Sequence, residues 1–151
     1  MKGWKYKFGF DIWGIILFLI IMLPNFIWFA VPAANDILRA ESVTKVADAI
    51  GSVCQVVMVA VLCALIHKER KKLSITPLII GVIGCCLLYY GCWILYYAGM
   101  TNAAVVLGMT VVPCLAFLFF ALDRKNGIAL IPITCFTICH VIIGVANFLF
   151  K

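Results

Sequence analysis

Five separate apolar stretches, each about twenty residues long, set the strongest limit on how this chain folds. At 1.5 Å per residue, a helix of that length crosses a hydrocarbon core of roughly 30 Å. In lipid the backbone must satisfy its own hydrogen bonds, and the alternating pattern of barrel strands is absent. The sequence therefore predicts an all-α integral membrane bundle of five transmembrane helices. They run from about residue 12 to 31, 46 to 66, 76 to 98, 103 to 122 and 128 to 150.

Composition leads to the same class. Of the 151 residues, 66% are hydrophobic and 12% are charged, whereas soluble domains are about 45–50% apolar and about 25% charged. The longest polar connections between the apolar stretches are about a dozen residues, too short for a soluble domain. Residues 1–151 are therefore predicted to form a single transmembrane domain.

The distribution of basic residues predicts the orientation. Nine lysines and arginines fall on the side of the N-terminus and three on the other side, a positive-inside bias that predicts a cytoplasmic N-terminus and an outside C-terminus. The net charge of +6 then indicates contact with anionic lipids on the cytoplasmic side of the bilayer and no nucleic-acid binding. The nine are Lys2, Lys5, Lys7, Lys68, Arg70, Lys71, Lys72, Arg124 and Lys125; the three are Arg39, Lys45 and Lys151.

The segments from Leu23 to Pro32 (LPNFIWFAVP) and from Asn35 to Arg39 (NDILR) carry a resemblance to known proteins. This part of the chain resembles uncharacterised small bacterial multi-pass membrane proteins. The resemblance covers about the first third of the chain. It implies a multi-pass protein of the bacterial inner membrane, but it implies no activity.

Polar residues inside the apolar stretches are the first place to look for function. Thr44, Asp48, Ser52 and Gln55 recur at three- and four-residue spacing and share one face of the second helix; Thr137, His140, Gly144 and Asn147 do so in the fifth. With the predicted orientation these groups, and Asn25 in the first helix, lie in the outer half of the bundle. The loop with Asp36, Arg39 and Glu41 lies above them. The sequence predicts an outward-facing polar pocket that binds, senses or passes a small solute, with five candidate ligand-binding residues: Asn25, Asp48, Gln55, His140 and Asn147.

Three alternatives remain open at this stage. The polar residues of the helices can simply hydrogen-bond one another, and the loop charges can form a solvated local ion pair of small value. Small residues at helical spacing, such as Ala47 with Gly51 and Gly84 with Gly91, can pack helices within the chain, or they can dock an accessory subunit onto a larger membrane partner or a second copy. A lipid-modifying enzyme is the weakest alternative, because no nucleophile or acid–base pair stands out.

The cysteines and prolines complete the predictions. All eight cysteines fall within apolar stretches and are interpreted as packing residues. We also predict no metal site, no cofactor and no catalytic residue. Pro24 and Pro113 fall inside predicted helices and predict kinks. A helix broken at Pro24 and Asn25, as in transporters, is the sharper alternative to a simple kink.

Overall fold

Five long helices form the molecule in the computed structural model, which describes residues 5–70 and 72–149. Each is long and apolar enough to cross a membrane, which confirms the predicted class of all-α membrane bundle. Every predicted helix boundary within the described residues lies within two residues of the observed one. Lys2, Lys71, Phe150 and Lys151, used in the predictions, lie outside the described residues. The helices are α1 (Ile12–Ala30), α2 (Lys45–Ala64), α3 (Pro77–Tyr97), α4 (Ala103–Asp123) and α5 (Gly127–Phe148).

A short antiparallel strand pair, which the sequence did not predict, closes one end of the bundle. Strand β1 (Tyr6–Phe8) pairs with β2 (Leu65–His67), with Tyr6 opposite His67. The ladder continues into the helix ends, because Asp11 N donates to Cys63 O at 2.7 Å. The prediction that α2 reaches residue 66 is therefore wrong by two residues, since the chain there pairs with the N-terminal segment. We call this the sheet end of the bundle, and the opposite end, which carries residues 31–44 between α1 and α2, the loop end.

Side-chain caps fix where several helices begin. Asp11, Thr76, Asn102 and Asn126 each accept a hydrogen bond from a backbone N–H in the first turn that follows. An N-cap of this kind satisfies one of the four orphan donors at a helix start. These capped starts coincide with the helix starts predicted from the apolar stretches. Capping and hydropathy therefore indicate the same helix boundaries.

Helix α4 is the centre of the bundle. It is the most buried of the five helices and packs against both α3 and α5, while α2 packs on α5 and α1 makes fewer contacts. Glycines permit the closest approaches: a Cβ on Gly108 would collide with Cys92 of α3, and one on Gly144 would lie 2.9 Å from Thr110 Oγ1 of α4. Gly51 meets Cys139 of α5 in the same way. The packing interpretation therefore holds for Gly51 and Gly108.

Pro24 does not break α1, which is continuous from Ile12 to Ala30. A proline inside a helix lacks the N–H that would bond the carbonyl four residues earlier, here that of Ile20. The Tyr90 hydroxyl of α3 donates to Ile20 O at 2.7 Å instead. This is a simple proline site satisfied by a neighbouring helix, and the alternative of a transporter-style broken helix is wrong. Pro113 in α4 and Pro132 in α5 are also inside continuous helices.

Candidate functional site

A cavity of about 370 Å³ lies within the half of the bundle nearer the loop end. All five helices contribute to its walls, and Leu38 of the α1–α2 loop contributes from above. Phe29 and Ser52 are exposed, so the cavity reaches the surface where these residues of α1 and α2 lie. The full lining is Ile21, Met22, Asn25, Phe29, Leu38, Asp48, Gly51, Ser52, Gln55, Tyr89, Trp93, Met109, Pro113, Phe117, Phe136, His140 and Ile143.

Four of the five candidate ligand-binding residues line this one cavity: Asn25, Asp48, Gln55 and His140. They come from α1, α2 and α5, so the structure brings together side chains that sequence spacing could place only helix by helix. Counting at 1.5 Å per residue from the helix ends, Gln55 and His140 lie about 12 to 15 Å below the loop end. The polar cluster thus lies at about the depth below the loop end that the sequence predicted.

In three of these four residues, polar side-chain atoms have either no hydrogen-bond or ion-pair partner among the described residues or only a weak one. Within the described residues, the Gln55 side chain makes one hydrogen bond, from Nε2 to Met22 Sδ at 3.7 Å, and a thioether sulfur is a weak acceptor. The Asp48 carboxylate makes no hydrogen bond or ion pair with the part of the chain described, and neither does the imidazole of His140. His140 is held by stacking on Phe136, with ring centroids 4.9 Å apart. Polar groups inside a membrane helix normally find partners, so these three are available to a ligand or to water.

Three further groups on the wall add hydrogen-bonding capacity. Asn25 Nδ2 donates to the Tyr89 hydroxyl at 2.8 Å, which leaves the amide oxygen of Asn25 as an acceptor. The buried Trp93 Nε1 has no acceptor at hydrogen-bonding geometry among the described residues, although it lies close enough to Tyr89 to interact electrostatically. Met109 and Pro113 both line the cavity, and the Met109 carbonyl loses its helical donor because Pro113 has no N–H.

The charge balance of the wall is one-sided. Among the described residues that line it, Asp48 is the single carboxylate, and none is a lysine or arginine. Five aromatic residues complete it: Phe29, Tyr89, Trp93, Phe117 and Phe136. A carboxylate combined with aromatic faces and surplus carbonyl acceptors attracts a cation, because aromatic rings present negative potential on their faces.

Asn147, the fifth candidate, does not line the cavity. It is buried, its Oδ1 accepts from Val43 N at 2.7 Å, and its Nδ2 donates to Thr44 Oγ1 at 2.8 Å. These bonds attach the end of α5 to the start of α2. The structure therefore does not bring Asn147 to the cavity with the other four candidates, and its role in ligand binding stays a prediction.

The α1–α2 loop is held down by Asp36, whose side chain is only 10% exposed. Its carboxylate accepts from Trp28 Nε1 at 2.9 Å, from the Tyr96 hydroxyl at 2.9 Å and from Arg39 Nε at 2.8 Å. Burial acts to raise the pKa of Asp36, but these hydrogen bonds and the charge of Arg39 together lower it below its usual value. The interpretation as a solvated ion pair is wrong for Asp36. It suits Glu41, whose exposed side chain meets Lys45 at 3.4 Å.

The remaining tyrosines of α3 act as helix-to-helix and helix-to-loop donors. Tyr90 bonds the carbonyl of Ile20, Tyr96 bonds Asp36, and Tyr97 bonds the carbonyl of Val31 at 2.6 Å. The alternative of simple interhelical hydrogen bonding therefore describes these residues, but it does not describe Asp48, Gln55 or His140.

Other candidate sites are weaker. A larger hollow of about 870 Å³ lies beside the start of α2, and its walls are mostly apolar. Cys54 Sγ and Cys135 Sγ are 3.1 Å apart in the bundle, but no group of three or more metal-ligating side chains exists within residues 5–70 and 72–149.

Sequence reasoning missed a buried charge cluster at the sheet end. Asp11 Oδ2 accepts from Arg70 and from Arg124 Nε, the latter at 3.0 Å, and both Asp11 and Arg124 are buried. The three residues come from separate polar connections, so periodicity within a helix carries no signal for their meeting.

Comparison with known proteins does not supply a family. No protein-family model, curated protein or solved structure matches this chain. The structure itself establishes a multi-pass membrane protein with five helices that can cross a bilayer, and any function must be argued from the cavity.

Proposed function

We propose that this protein binds a small solute in the cavity at the loop end, as a sensor of that solute or as a path for its passage across the membrane. One observation carries the proposal: Asp48, Gln55 and His140, which lack strong hydrogen-bond partners among the described residues, line the same cavity. We further propose that the loop end faces outside, as the positive-inside bias predicts, and that the membrane is the bacterial inner membrane.

The wall chemistry favours a small organic cation. Asp48 supplies the opposite charge, the aromatic residues supply cation–π contacts, and Asn25 and Gln55 can orient hydrogen-bonding groups of the solute. A volume of about 370 Å³ falls within the range of small-molecule pockets. An anion would meet the Asp48 carboxylate, and no described lining residue is a lysine or arginine that would compensate.

His140 can couple occupancy to protonation. An ordinary imidazole titrates near pH 6.5, and a protonated His140 would place a second positive charge beside a cationic solute. Binding should therefore weaken as the pH falls through the imidazole titration, and His140→Gln should remove that dependence. A His140→Gln protein whose binding still follows pH as the wild type does would contradict this role.

A screen of thermal stability tests the proposal. The purified protein is heated with choline and benzyltrimethylammonium, and in parallel with 3,3-dimethylbutanol, a neutral isostere of choline. A ligand at a hundred times its Kd stabilises a protein by about 2.7 kcal/mol, so the cations should raise the melting temperature and the alcohol should not. Equal shifts with the charged and the neutral compound would contradict the cation assignment.

A separate observation supports a second candidate function, that of an accessory subunit. Added Cβ atoms on Gly84 and Gly91 of α3 would meet nothing within 4 Å, so this small-residue face has no helix packed on it within residues 5–70 and 72–149. Such faces allow helices to approach closely. Purification in mild detergent distinguishes the two functions: a larger complex lost in Gly84→Leu favours the accessory role, whereas a monomer that responds to cations favours the solute site.

A further inference from the structure

A second site, at the opposite end from the cavity, has the composition of a lipid headgroup pocket. It has a volume of about 430 Å³ and lies at the sheet end. Its lining is Phe10, Asp11, Ile12, Trp13, Arg70, Lys72, Leu73 and Arg124. Three cations face one carboxylate, so the pocket carries a net positive charge.

Asp11 positions the guanidinium groups of Arg70 and Arg124, and Arg70 keeps donors that the described residues do not use. Its Oδ2 accepts from both Arg70 and Arg124, while its Oδ1 accepts from the backbone N–H of Trp13 at 3.3 Å. A guanidinium carries five N–H donors in a fixed fork suited to phosphate, and Arg70 uses only one of its nitrogens in a bond with the described residues. Lys72 is exposed and forms no ion pair with them. The pocket thus offers unused charge-assisted donors to an anion.

The pocket lies at the depth of phospholipid headgroups. Asp11 precedes the first residue of α1, Arg124 follows the last residue of α4, and Lys72 lies five residues before the start of α3. Trp13 lines the pocket as well, and tryptophan is enriched at the membrane interface. A basic pocket between transmembrane helices at this level fits the phosphate of an anionic lipid.

An apolar groove begins where the basic pocket ends. Trp13 and Leu73 line both, and the groove has a volume of about 320 Å³ with an almost entirely apolar wall. Between Ile79 and Leu87 of α3 it extends about 12 Å along the helix axis. The other lining residues come from α1, α3 and α4: Ile16, Leu17, Ile20, Val82, Ile83, Cys86 and Phe120. A cationic pocket continuous with an apolar groove matches a phosphate group attached to an acyl chain.

We propose that Arg70, Lys72 and Arg124, with the apolar groove between α1 and α3, bind one phospholipid with a net negative headgroup. A zwitterionic lipid gains less from the surplus positive charge, and a free phosphate ion leaves the groove empty. The lipid stabilises the contact of α1 with α3, where the two helices touch sparsely. The site is separate from the solute cavity, and neither proposal depends on the other.

Native mass spectrometry of the purified full chain tests this site. The protein is equilibrated with phosphatidylglycerol or with phosphatidylcholine of the same acyl chains, and the retained lipid is counted. Wild type should retain one phosphatidylglycerol in preference to phosphatidylcholine. Lys72→Gln should lower phosphatidylglycerol retention about fivefold, the effect of one basic residue at an anionic surface. Lys45→Gln, at the loop end, is the matched control and should change nothing.

A second pair of variants examines the groove without touching a charge. Ile83→Trp fills the groove and should reduce phosphatidylglycerol retention, whereas Ile131→Trp on the exposed face of α5 should not. Equal retention of the two lipids by wild type, or equal effects of the lysine variants, would overturn the proposal. Displacement of phosphatidylglycerol by millimolar inorganic phosphate would overturn the lipid assignment as well, because it would show that the site takes the free ion.

Discussion

Asp36 shows how one side chain can hold a loop over a membrane cavity. It receives hydrogen bonds from α1 (Trp28), from α3 (Tyr96) and from its own loop (Arg39). Arg39 also lies over the Trp28 ring at 4.9 Å and donates to the Trp28 carbonyl. The same loop contributes Leu38 to the cavity wall. The hydrogen bonds that hold Asp36 therefore also hold the loop in place over the cavity.

The lowered pKa of Asp36 predicts a pH dependence of stability. A carboxyl whose pKa is lower in the folded protein stabilises it above the unfolded pKa of about 3.9, and this contribution is lost as the pH falls through the folded value. Asp36→Asn should lower the stability at pH 7 by about 1.5–3 kcal/mol, the range for hydrogen bonds to charged groups. The difference between variant and wild type should shrink below about pH 4, as followed by thermal melting.

Glu41→Gln is the control for this prediction. Glu41 lies in the same loop but is exposed, and exposed ion pairs contribute about 0–1 kcal/mol. If Asp36→Asn melts at the same temperature as Glu41→Gln at pH 7, the carboxylate does not anchor the loop.

At the scale of the helices, packing depends on glycines in specific contacts. Gly144→Ala should destabilise the protein by about 1–3 kcal/mol, because the new methyl group would crowd Thr110 of central helix α4 and overpacking costs that much. Gly84→Ala makes the same chemical change where the space is open, so it should stay within about 0.5 kcal/mol of wild type. Thermal unfolding of both variants in detergent provides the measurement. Equal losses would mean that the α4–α5 contact at Gly144 is not tight.

Elements were more predictable than the contacts between them. The apolar stretches locate each helix because hydrocarbon thickness fixes its length, and helical spacing correctly placed Asp48 and Gln55 on one face. The β1–β2 pair escaped prediction because residues 6–8 and 65–67 are far apart in the sequence, and neither segment alone indicates its partner. Spacing also could not show that Trp93 of α3 would line the same cavity as Asp48 of α2, since a sequence does not state helix order. For the same reason it could not show that Asn147 lies outside that cavity.

At the scale of the whole molecule, the two ends differ in chemistry. The loop end holds the cavity with the carboxylate of Asp48, and the sheet end holds the basic pocket around Arg70 and Arg124. A positive-inside orientation would place the basic pocket in the cytoplasmic leaflet, where anionic lipids create a negative surface potential.

Reporter fusions test that orientation. An alkaline phosphatase fused to the C-terminus should be active and a fluorescent protein there should be dark, because the bias of nine basic residues against three predicts an outside C-terminus. Fusions at the N-terminus should behave in the opposite way. A fluorescent C-terminal fusion with inactive phosphatase would reverse the orientation and make the cavity inward-facing.

Calorimetric titration of benzyltrimethylammonium into the purified protein tests the cavity most directly. Wild type and Glu41→Gln should bind the cation with the same affinity. Asp48→Asn, which removes the only carboxylate among the described lining residues, should bind it at least about tenfold more weakly, a loss of about 1.4 kcal/mol. Absence of binding to wild type, or equal affinity in Asp48→Asn, would contradict a cation site in this cavity.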